Sequence, residues 1–401
     1  MFKKAFFLFS LLAMLTLISC ENNGRNKLEK ESLFSISLGK LADEIDYFQR
    51  DSLQFSQDND LFMKDGFFYV SNGRSGKFMK FNSYGDILSL IYNDDRNPYP
   101  AELMSRESDS NDVNRQVIPW PFNSPSSIAV LEEDIYIVDK VALNRQVKEN
   151  NVLMDRNILH FNDKGEYENF IGLDGVGGQP FPYILNIWVS DNSELIVLYR
   201  TISSDDESWF VNWYTINGDL RYSIEIREKS IPMPAGETEL IISLDNIVPD
   251  TSRYELYLKM TYFRKDKDSS SDSTNISEVF SGTLNFNVTE NKYYNWSRLP
   301  EHKIAIDDME IDSPYSLIGT NNNHLLFVSL GEDNTYNLLI KNNEGLFIHE
   351  RTLEIGDFDI IYKEFFLSDE GILNAMVFTD QDAKIMWWRT DKLIGNGGKS
   401  E

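Results

Sequence analysis

The stretch Asp65–Ile91, DGFFYVSNGRSGKFMKFNSYGDILSLI, decides the fold of this chain. It holds three short apolar segments, at 67–70, 77–81 and 87–91. Turn residues separate them, first Asn72-Gly73 and then 82–85. The second segment alternates apolar and charged residues, which is the period of a strand rather than of a helix. Short strands joined by tight turns predict an antiparallel meander.

Variants of this meander recur along the chain. Six units can be placed, at about 54–92, 124–171, 184–226, 238–296, 313–355 and 360–389. The second and fifth units open with the same Ser-Pro-x-Ser run, Ser124–Ser127 and Ser313–Ser316. In both, an apolar strand, a polar turn and a second apolar strand follow at matching offsets. Repetition of an antiparallel unit favours a β-propeller.

The predicted fold class is therefore all-β, a six-bladed propeller. Seven blades is the alternative, if the fourth and longest unit contains two. The polar run 264–275, RKDKDSSSDSTN, is expected to be a solvated loop tip within that unit. The sixth unit lacks an outer strand, and the chain begins with a lone one at Phe34–Leu38. We expect this first strand to complete the last blade, because ring closure hides the sheet edges that promote aggregation.

Composition excludes one class of partner. The 401 residues carry a formal net charge of −26, and 13% of them are aromatic. Nucleic-acid binding requires a basic surface that displaces counterions from phosphates, so no nucleic acid is expected as a partner. The acidity also disfavours direct docking of the folded domain onto anionic lipid headgroups.

The first 19 residues have the features of an export signal. Lys3 and Lys4 precede an apolar run, Ala5–Ile18, that is too short to span a bilayer comfortably. The run ends in Leu17-Ile18-Ser19-Cys20, which resembles the lipobox of bacterial lipoproteins. The resemblance implies cleavage after Ser19 and attachment of fatty acyl chains, such as palmitate, to Cys20. The alternative is an ordinary secretory signal, but Cys20 is the only cysteine in the chain and stands at the required position.

These features divide the chain into four parts. Residues 1–19 are the predicted signal peptide, 20–32 a flexible tether, 33–395 the propeller and 396–401 a polar tail. The expected location is the bacterial cell envelope, with the protein held to a membrane through the lipid at Cys20. Two or more acyl chains give a stable anchor, whereas one is marginal.

A second resemblance concerns the first blade. Gly66–Asn72, Gly76–Asn82 and Gly85-Asp86 together resemble one NHL-type propeller repeat, and Gly172–Phe181 resembles the Gly-rich linker that leads into the next repeat. The resemblance implies fold far more than function. Signal and propeller together are similar to uncharacterised lipoproteins of spirochaetes.

No residue pattern assigns catalytic or cofactor-binding residues. The four histidines, His160, His302, His324 and His349, are not spaced as a zinc site. Acidic runs at 58–60, 204–207 and 307–308 offer oxygen ligands to calcium but lack the pattern of an EF-hand loop, and solvated loops are the favoured interpretation. The metal ligands, if the central channel holds calcium, are therefore left unassigned.

The predicted function is recognition rather than catalysis: a binding or scaffolding module for a protein, peptide or glycan. Sites are expected on the long loops or where blades begin near the axis, around Ser124, Ser126, Ser313 and Ser316, although turn formation alone also explains these serines. The tryptophans Trp209, Trp213, Trp296, Trp387 and Trp388 either line a binding face or, more simply, pack between blades. The alternative function is a calcium-dependent hydrolase or lactonase that uses the central channel.

Overall fold

A computed structural model describes residues 27–47, 59–101, 103, 115–202, 207–267, 274–306, 309–356 and 359–395. Within these ranges nearly every regular element is a β-strand, and the α-helical element α1 (Asp391–Ile394) is a single turn near the end. Two 3₁₀ turns are present, Leu143–Arg145 and Glu228–Ser230, and residues 101 and 103 are also helical. The prediction of an all-β chain is confirmed.

The first two strands join sheets that belong to the end of the chain. They are β1 (Lys27–Leu28) and β2 (Lys30–Ser37). β2 pairs antiparallel with a strand of the last blade, so that Lys30 lies opposite Trp388 and Ser37 opposite Asp382. β1 lies parallel to the outer strand of the blade before it. The predicted closure of the ring by an N-terminal strand is therefore confirmed, but the strand runs Lys30–Ser37 rather than Phe34–Leu38, so residues 30–32 of the predicted tether belong to it.

Blades 1 and 2 are antiparallel meanders with an added strand at their outer edge. Blade 1 consists of β3 (Asn59–Lys64), β4 (Phe67–Asn72), β5 (Lys77–Phe81) and β6 (Ile87–Tyr92), with β7 (Gln116–Pro119) in parallel beside β6. Blade 2 begins with β8 (Ile128–Leu131) and β9 (Asp134–Lys140), which a separate hairpin follows, β10 (Val147–Glu149) and β11 (Val152–Met154). It continues with β12 (Arg156–Phe161), β13 (Tyr167–Gly172) and β14 (Gly175–Val176).

Blades 3 and 4 have four strands each. Blade 3 consists of β15 (Tyr183–Val189), β16 (Leu195–Ile202), β17 (Glu207–Tyr214) and β18 (Leu220–Arg227). Blade 4 consists of β19 (Leu240–Pro249), β20 (Glu255–Lys267), β21 (Thr274–Asn287) and β22 (Lys292–Arg298). A hairpin of β23 (Lys303–Ile306) and β24 (Met309–Asp312) leads to the next blade.

Blades 5 and 6 include the two N-terminal strands. Blade 5 consists of β25 (Ser316–Asn321), β26 (His324–Leu330), β27 (Thr335–Asn342) and β28 (Phe347–Glu354), with β1 beside β28. Blade 6 consists of β29 (Tyr362–Leu367), β30 (Leu373–Phe378), β31 (Asp382–Trp388) and β2.

The fourth unit is long for a reason other than a hidden seventh blade. β20 and β21 pair continuously from Glu255 opposite Asn287 to Lys267 opposite Thr274. Their partner β19 reaches only as far as Leu240 opposite Arg264, so the hairpin projects beyond the sheet. The predicted loop tip at 264–275 was thus too wide, because paired strands extend to Lys267 and resume at Thr274.

Six apolar clusters form the core of the described ranges, and each lies between two neighbouring blades. The cluster between blades 6 and 1 contains Ile36 of β2, Leu61 of β3 and Phe378 of β30, so the closing strand is part of it. Burial of these faces is the main source of stability, since the chain has one cysteine and forms no internal disulfide.

The two faces of the ring differ. Because strands alternate in direction, tight turns join the first to the second strand and the third to the fourth on one face, which we call the turn face. The opposite face, the loop face, carries the longer connections. Three hairpins stand on the loop face: β10–β11, the projecting end of β20–β21, and β23–β24.

A glycine in a turn allows the closing strand to pack. Gly85, in the turn between β5 and β6, has a φ of +85°. A Cβ atom at this position would lie 2.8 Å from the Cβ of Phe34 on β2. Glycine is therefore required there both by backbone conformation and by the close approach of the last blade.

Candidate functional site

The first strands of the six blades surround a cavity on the propeller axis. Its volume is about 320 Å³, and all six blades contribute to its wall. Polar groups are spread around it, among them Asp60, Ser126, Asn186, Asn246 and Glu364. A concave site with a few convergent polar groups is the usual form of a small-ligand pocket.

Asp60 lies on β3 and bridges blades 1 and 2. Its Oδ1 accepts a hydrogen bond from the Leu61 N–H at 3.0 Å, and its Oδ2 accepts one from the Ile128 N–H at 2.8 Å. Burial raises the pKa of Asp60 well above its usual value, and the negative charge of Glu364 raises it further. The two backbone hydrogen bonds act in the opposite direction but do not cancel these effects.

Glu364 lies on β29, on the other side of the closure between blades 6 and 1. Burial raises its pKa to about 7, although the hydrogen bond from the Tyr362 hydroxyl to Oε2, 3.2 Å long, acts in the opposite direction. The pKa of Tyr362 is itself raised by burial and by Glu364, so Tyr362 stays a neutral donor. The cavity thus contains two neighbouring carboxyl groups, each of which stays protonated to a higher pH than an exposed carboxyl group does.

Two asparagines occupy related positions on the first strands of blades 3 and 4. Each follows a β-bulge, between Ile184 and Asn186 in one strand and between Leu244 and Asn246 in the other. Each side-chain oxygen accepts a hydrogen bond from the next backbone N–H. The Asn246 amide also donates to the Leu317 carbonyl of blade 5 at 2.9 Å. The bulge in each strand changes the local direction of the backbone and places the asparagine amide group at the cavity wall.

Asn59 begins β3 and lines the same cavity. Its side chain is 7% exposed. The Oδ1 atom accepts a hydrogen bond from Asn72 Nδ2 at 2.8 Å, whereas its own Nδ2 has no acceptor among the described residues. Buried donors are almost always paired in proteins, so this unpaired nitrogen in the wall is an exception.

An aromatic ring stands at the mouth of the cavity on the loop face. Tyr183 begins β15 and is 43% exposed. The guanidinium carbons of Arg156 and Arg200 lie 5.9 and 5.8 Å from its ring centre. Arg156 also contacts Asp155 at 3.2 Å, and Arg200 contacts Glu207 at 3.1 Å. The ring is thus held in a fixed position by charged neighbours that are themselves neutralised.

Two charged groups lie toward the turn-face end of the channel. Lys64 Nζ donates to the Val130 carbonyl at 3.0 Å. Burial raises the pKa of Asp369 to about 6, against the opposing charge of Lys64. The negative charges of Glu370, Asp191 and Asp65 raise this pKa further, so acidic groups outnumber the lysine at this end.

The serines singled out in the sequence have different positions. Ser126 alone among the four lines the cavity, and its N–H donates to the Val138 carbonyl at 2.8 Å. The Ser124 N–H donates to the buried Asp139 carboxylate at 2.7 Å. Ser313 donates to the Leu330 carbonyl at 2.8 Å, and Ser316 is exposed at the start of β25. Turn formation accounts for Ser124 and Ser313.

None of the four histidines, and none of the five tryptophans singled out in the sequence, lines the channel cavity of the described ranges. His160 contacts Asp134 at 3.0 Å on blade 2, whereas His302, His324 and His349 belong to blade 5 and the connection before it. The tryptophans pack between blades, as their simpler interpretation predicts: Trp209, Trp213 and Trp388 are buried, and Trp296 and Trp387 are partly buried against the clusters.

The acidic runs contribute one residue to the cavity. Asp58, residues 204–206 and residues 307–308 lie outside the described residues, whereas Asp60 faces the channel and Glu207 pairs with Arg200. Among the described residues no three histidine, cysteine, aspartate or glutamate side chains converge on a point that would hold a metal ion. The involvement of calcium stays a prediction.

Cys20 also lies outside the described residues, so the lipid anchor stays a prediction. In the part of the chain that is described, no helix has the length and apolar character needed to cross a membrane.

Among known proteins, no protein-family model matches the chain, and no curated protein matches it. Among solved structures, the polysaccharide lyase Uly1 aligns over 90% of this chain and 99% of its own, with 9% identity and a TM-score of 0.47. An endo-arabinase from Bacteroides thetaiotaomicron aligns over 77% of this chain and 96% of its own, with 10% identity and a TM-score of 0.33.

A protein of unknown function from Bacteroides caccae aligns over 75% of this chain and 83% of its own, with 11% identity and a TM-score of 0.34. Likenesses this distant carry no argument about activity. The six-bladed propeller is established by the chain's own sheets, and the resemblances to lipoproteins and to NHL repeats stay predictions.

Proposed function

We propose that this protein is a lipid-anchored binding module of the bacterial cell envelope that takes part of a glycan into the loop-face mouth of its channel. The observation that carries the proposal is the axial cavity of about 320 Å³ to which all six blades contribute. That volume lies at the lower end of the range for ligand pockets, and it suits a sugar unit better than a folded protein surface.

The chemistry of the cavity wall supports a glycan. A sugar presents hydroxyl groups, which both donate and accept hydrogen bonds, together with apolar C–H faces. The wall offers carboxylates and amides in Asp60, Glu364, Asn186 and Asn246, and aromatic rings such as that of Tyr183. Rigid aromatic rings beside fixed polar groups give contact area and orientation at low entropic cost.

The loop face supports recognition of something larger than one sugar. Two of the three hairpins on this face, β10–β11 and β23–β24, are additional to the blades, and the third is an extension of two strands of blade 4. Several of their apolar side chains are exposed, among them Leu153, Ile276 and Met309. A glycan chain that leaves the mouth would meet these hairpins, which form part of the partner-binding face in this proposal.

Hydrolysis within the same channel is a second candidate, and one observation favours it. Asp60 and Glu364 face one cavity and have raised pKa values, the property that a carboxyl group needs to act as a general acid near neutral pH. The calcium dependence that we expect for this alternative has no further support from the described residues.

A glycan array probed with the full chain tests the proposed function. We expect retention of a subset of glycans above background. The variant Tyr183→Ala should lose about tenfold in affinity, because it removes the ring at the mouth. The matched control is Tyr84→Ala, since Tyr84 is 85% exposed in a turn on the opposite face. Uniformly absent binding, or equal losses in the two variants, would refute the proposal. Release of reducing ends from a retained glycan would favour the hydrolase instead.

A further inference from the structure

We propose that the cavity recognises an amino sugar, whose ammonium group is received jointly by Asp60 and Glu364. The inference rests on the proposed glycan-binding function and narrows its ligand to a class. It is drawn from three observations: two carboxyl groups that lack a cation, a buried amide donor that lacks an acceptor, and aromatic rings in the same wall.

The first observation concerns charge. The described partners of Asp60 are backbone N–H groups, and that of Glu364 is the Tyr362 hydroxyl. No ion pair to either carboxylate occurs in the described ranges, although buried carboxylates are normally compensated by a cation. The basic groups near the cavity are engaged elsewhere, because Arg156 contacts Asp155 and Lys64 contacts the Val130 carbonyl.

A ligand that brings a positive charge would remove this imbalance. Burial raises the pKa of both carboxyl groups, and the charge of Glu364 raises the pKa of Asp60 further. A cation between them would stabilise both ionised forms, and a neutral sugar would not. Charge-assisted hydrogen bonds of this kind are roughly twice as strong as neutral ones.

The second observation concerns Asn59. Its side chain is more than nine-tenths buried, lines the cavity and has no acceptor for Nδ2 among the described residues. Asn59 and Asp60 are successive residues of β3, so their side chains leave the strand on opposite faces, and both residues line the cavity. A hydroxyl oxygen of the sugar that reached Asn59 would pair this donor, while the carboxyl groups received the ammonium group.

The third observation favours an organic cation over a metal ion. Tyr183 and Tyr362 line the wall, and aromatic faces attract ammonium groups through their π electrons. A calcium ion would instead require six to eight oxygen ligands. Among the described residues, no three histidine, cysteine, aspartate or glutamate side chains are grouped so that they could hold a metal ion.

The test uses isothermal titration of the full chain at pH 7 with three trisaccharides: one of glucosamine, one of N-acetylglucosamine and one of glucose, all β-1,4-linked. The glucosamine trimer carries the ammonium groups, and the other two are neutral. We expect it to bind at least tenfold more tightly than either neutral trimer. Calcium chloride is titrated separately.

Two variants test whether Glu364 is responsible for the expected preference for the glucosamine trimer. Glu364→Gln keeps an oxygen that accepts from Tyr362, so it should fold, and we expect it to lose about tenfold in affinity for the glucosamine trimer only. Glu225→Gln is the control, because Glu225 is an exposed acid on β18 that pairs with Arg227. Its affinities should equal those of the wild type.

The outcomes are distinguishable. Equal affinity for all three trimers overturns the ammonium preference but leaves glycan binding intact. Calcium binding that Glu364→Gln abolishes overturns the amino-sugar assignment in favour of a metal. If none of the three trimers binds while other glycans on the array do, this inference alone is overturned. If no glycan on the array binds, the proposed function is overturned as well.

Discussion

At the scale of single residues, the main finding is that the channel holds two carboxyl groups whose ionisation is costly. Asp60 and Glu364 come from blades 1 and 6, the two blades that the closing strand brings together. Since their pKa values are raised in the folded chain, the folded state binds more protons than the unfolded chain above the ordinary pKa of a carboxyl group. This dependence can be measured without knowledge of the ligand.

The first prediction concerns Glu364→Gln. The ordinary pKa of the carboxyl group is 4.5, and the folded value is about 7. Its contribution to stability is fully present below pH 4.5 and is lost as the pH rises through 7. The variant should therefore be more stable than the wild type at pH 8, by about 3 kcal/mol. The gap should close near pH 5.

Thermal midpoints of both proteins across pH 5 to 8 measure this gap, with Glu225→Gln as a control that should show no such trend. A gap that is constant with pH would show that Glu364 has an ordinary pKa.

The second residue-scale prediction concerns Lys77, which is fully buried at the start of β5. Its Nζ donates to the Leu41 and Glu44 carbonyls at 2.7 and 2.6 Å, and burial lowers its pKa to about 8. Lys77→Met removes both hydrogen bonds and leaves two carbonyls without a donor, so we expect a loss of about 3 kcal/mol. Urea unfolding at pH 7 measures it, and an unchanged midpoint would contradict this role.

At the scale of elements, the closing strand β2 is expected to contribute strongly to the stability of the ring. β2 supplies Ile36 to the core between blades 6 and 1, and it covers the edge of β31. Deleting residues 20–38 should therefore lower the thermal midpoint by more than about 10 °C, whereas deleting 20–29 should lower it only slightly. Differential scanning calorimetry compares the two truncations, and equal midpoints would show that the strand is dispensable.

The turn between β5 and β6 allows a matched pair of substitutions. Gly85 and Gly66 both have positive φ, +85° and +76°. A Cβ at Gly85 would collide with Phe34, whereas one at Gly66 would meet nothing within 4 Å. Gly66→Ala should cost about 1 kcal/mol from backbone conformation alone, and Gly85→Ala about 2 kcal/mol more from the collision. Equal losses in chemical unfolding would indicate that β2 shifts away at no cost.

Most elements were predictable from the sequence because strands of alternating polarity and turns rich in Asn and Gly are local signals. The closing strand was predictable too, since Phe34, Ile36 and Leu38 alternate with serines. The projecting end of β20–β21 was not, because a solvent-exposed hairpin has no apolar face to reveal it.

The site was less predictable than the fold. Glu364 is the only acidic residue in the strand YKEFFL, and nothing local shows that it faces the axis. That direction depends on how six sheets pack around a ring. Asp60 was noted only as part of an acidic run, and its coupling to Glu364 depends on the contact between the first and last blades.

At the scale of the whole molecule, the predicted anchor places the propeller at a membrane surface. Cys20→Ala should leave the protein unlipidated and soluble, because the acyl chains supply the membrane affinity. Partitioning between the aqueous and detergent phases of a detergent extract measures this. Unchanged partitioning of the variant into the detergent phase would refute the lipoprotein assignment, and Ser19→Ala, which keeps Cys20 and a small residue before it, is a suitable comparison.

The pairing of β2 with β31 also bears on how this protein can be rebuilt. Because Lys30 and Trp388 lie side by side, strands β2 and β31 of blade 6 bring the two ends of the propeller together. The polypeptide can in principle be joined there and reopened at a tight turn such as Glu132-Glu133, which yields a circular permutant. In such a permutant the predicted tether would leave from a different blade, so the orientation of the proposed binding mouth relative to the membrane becomes an engineering variable.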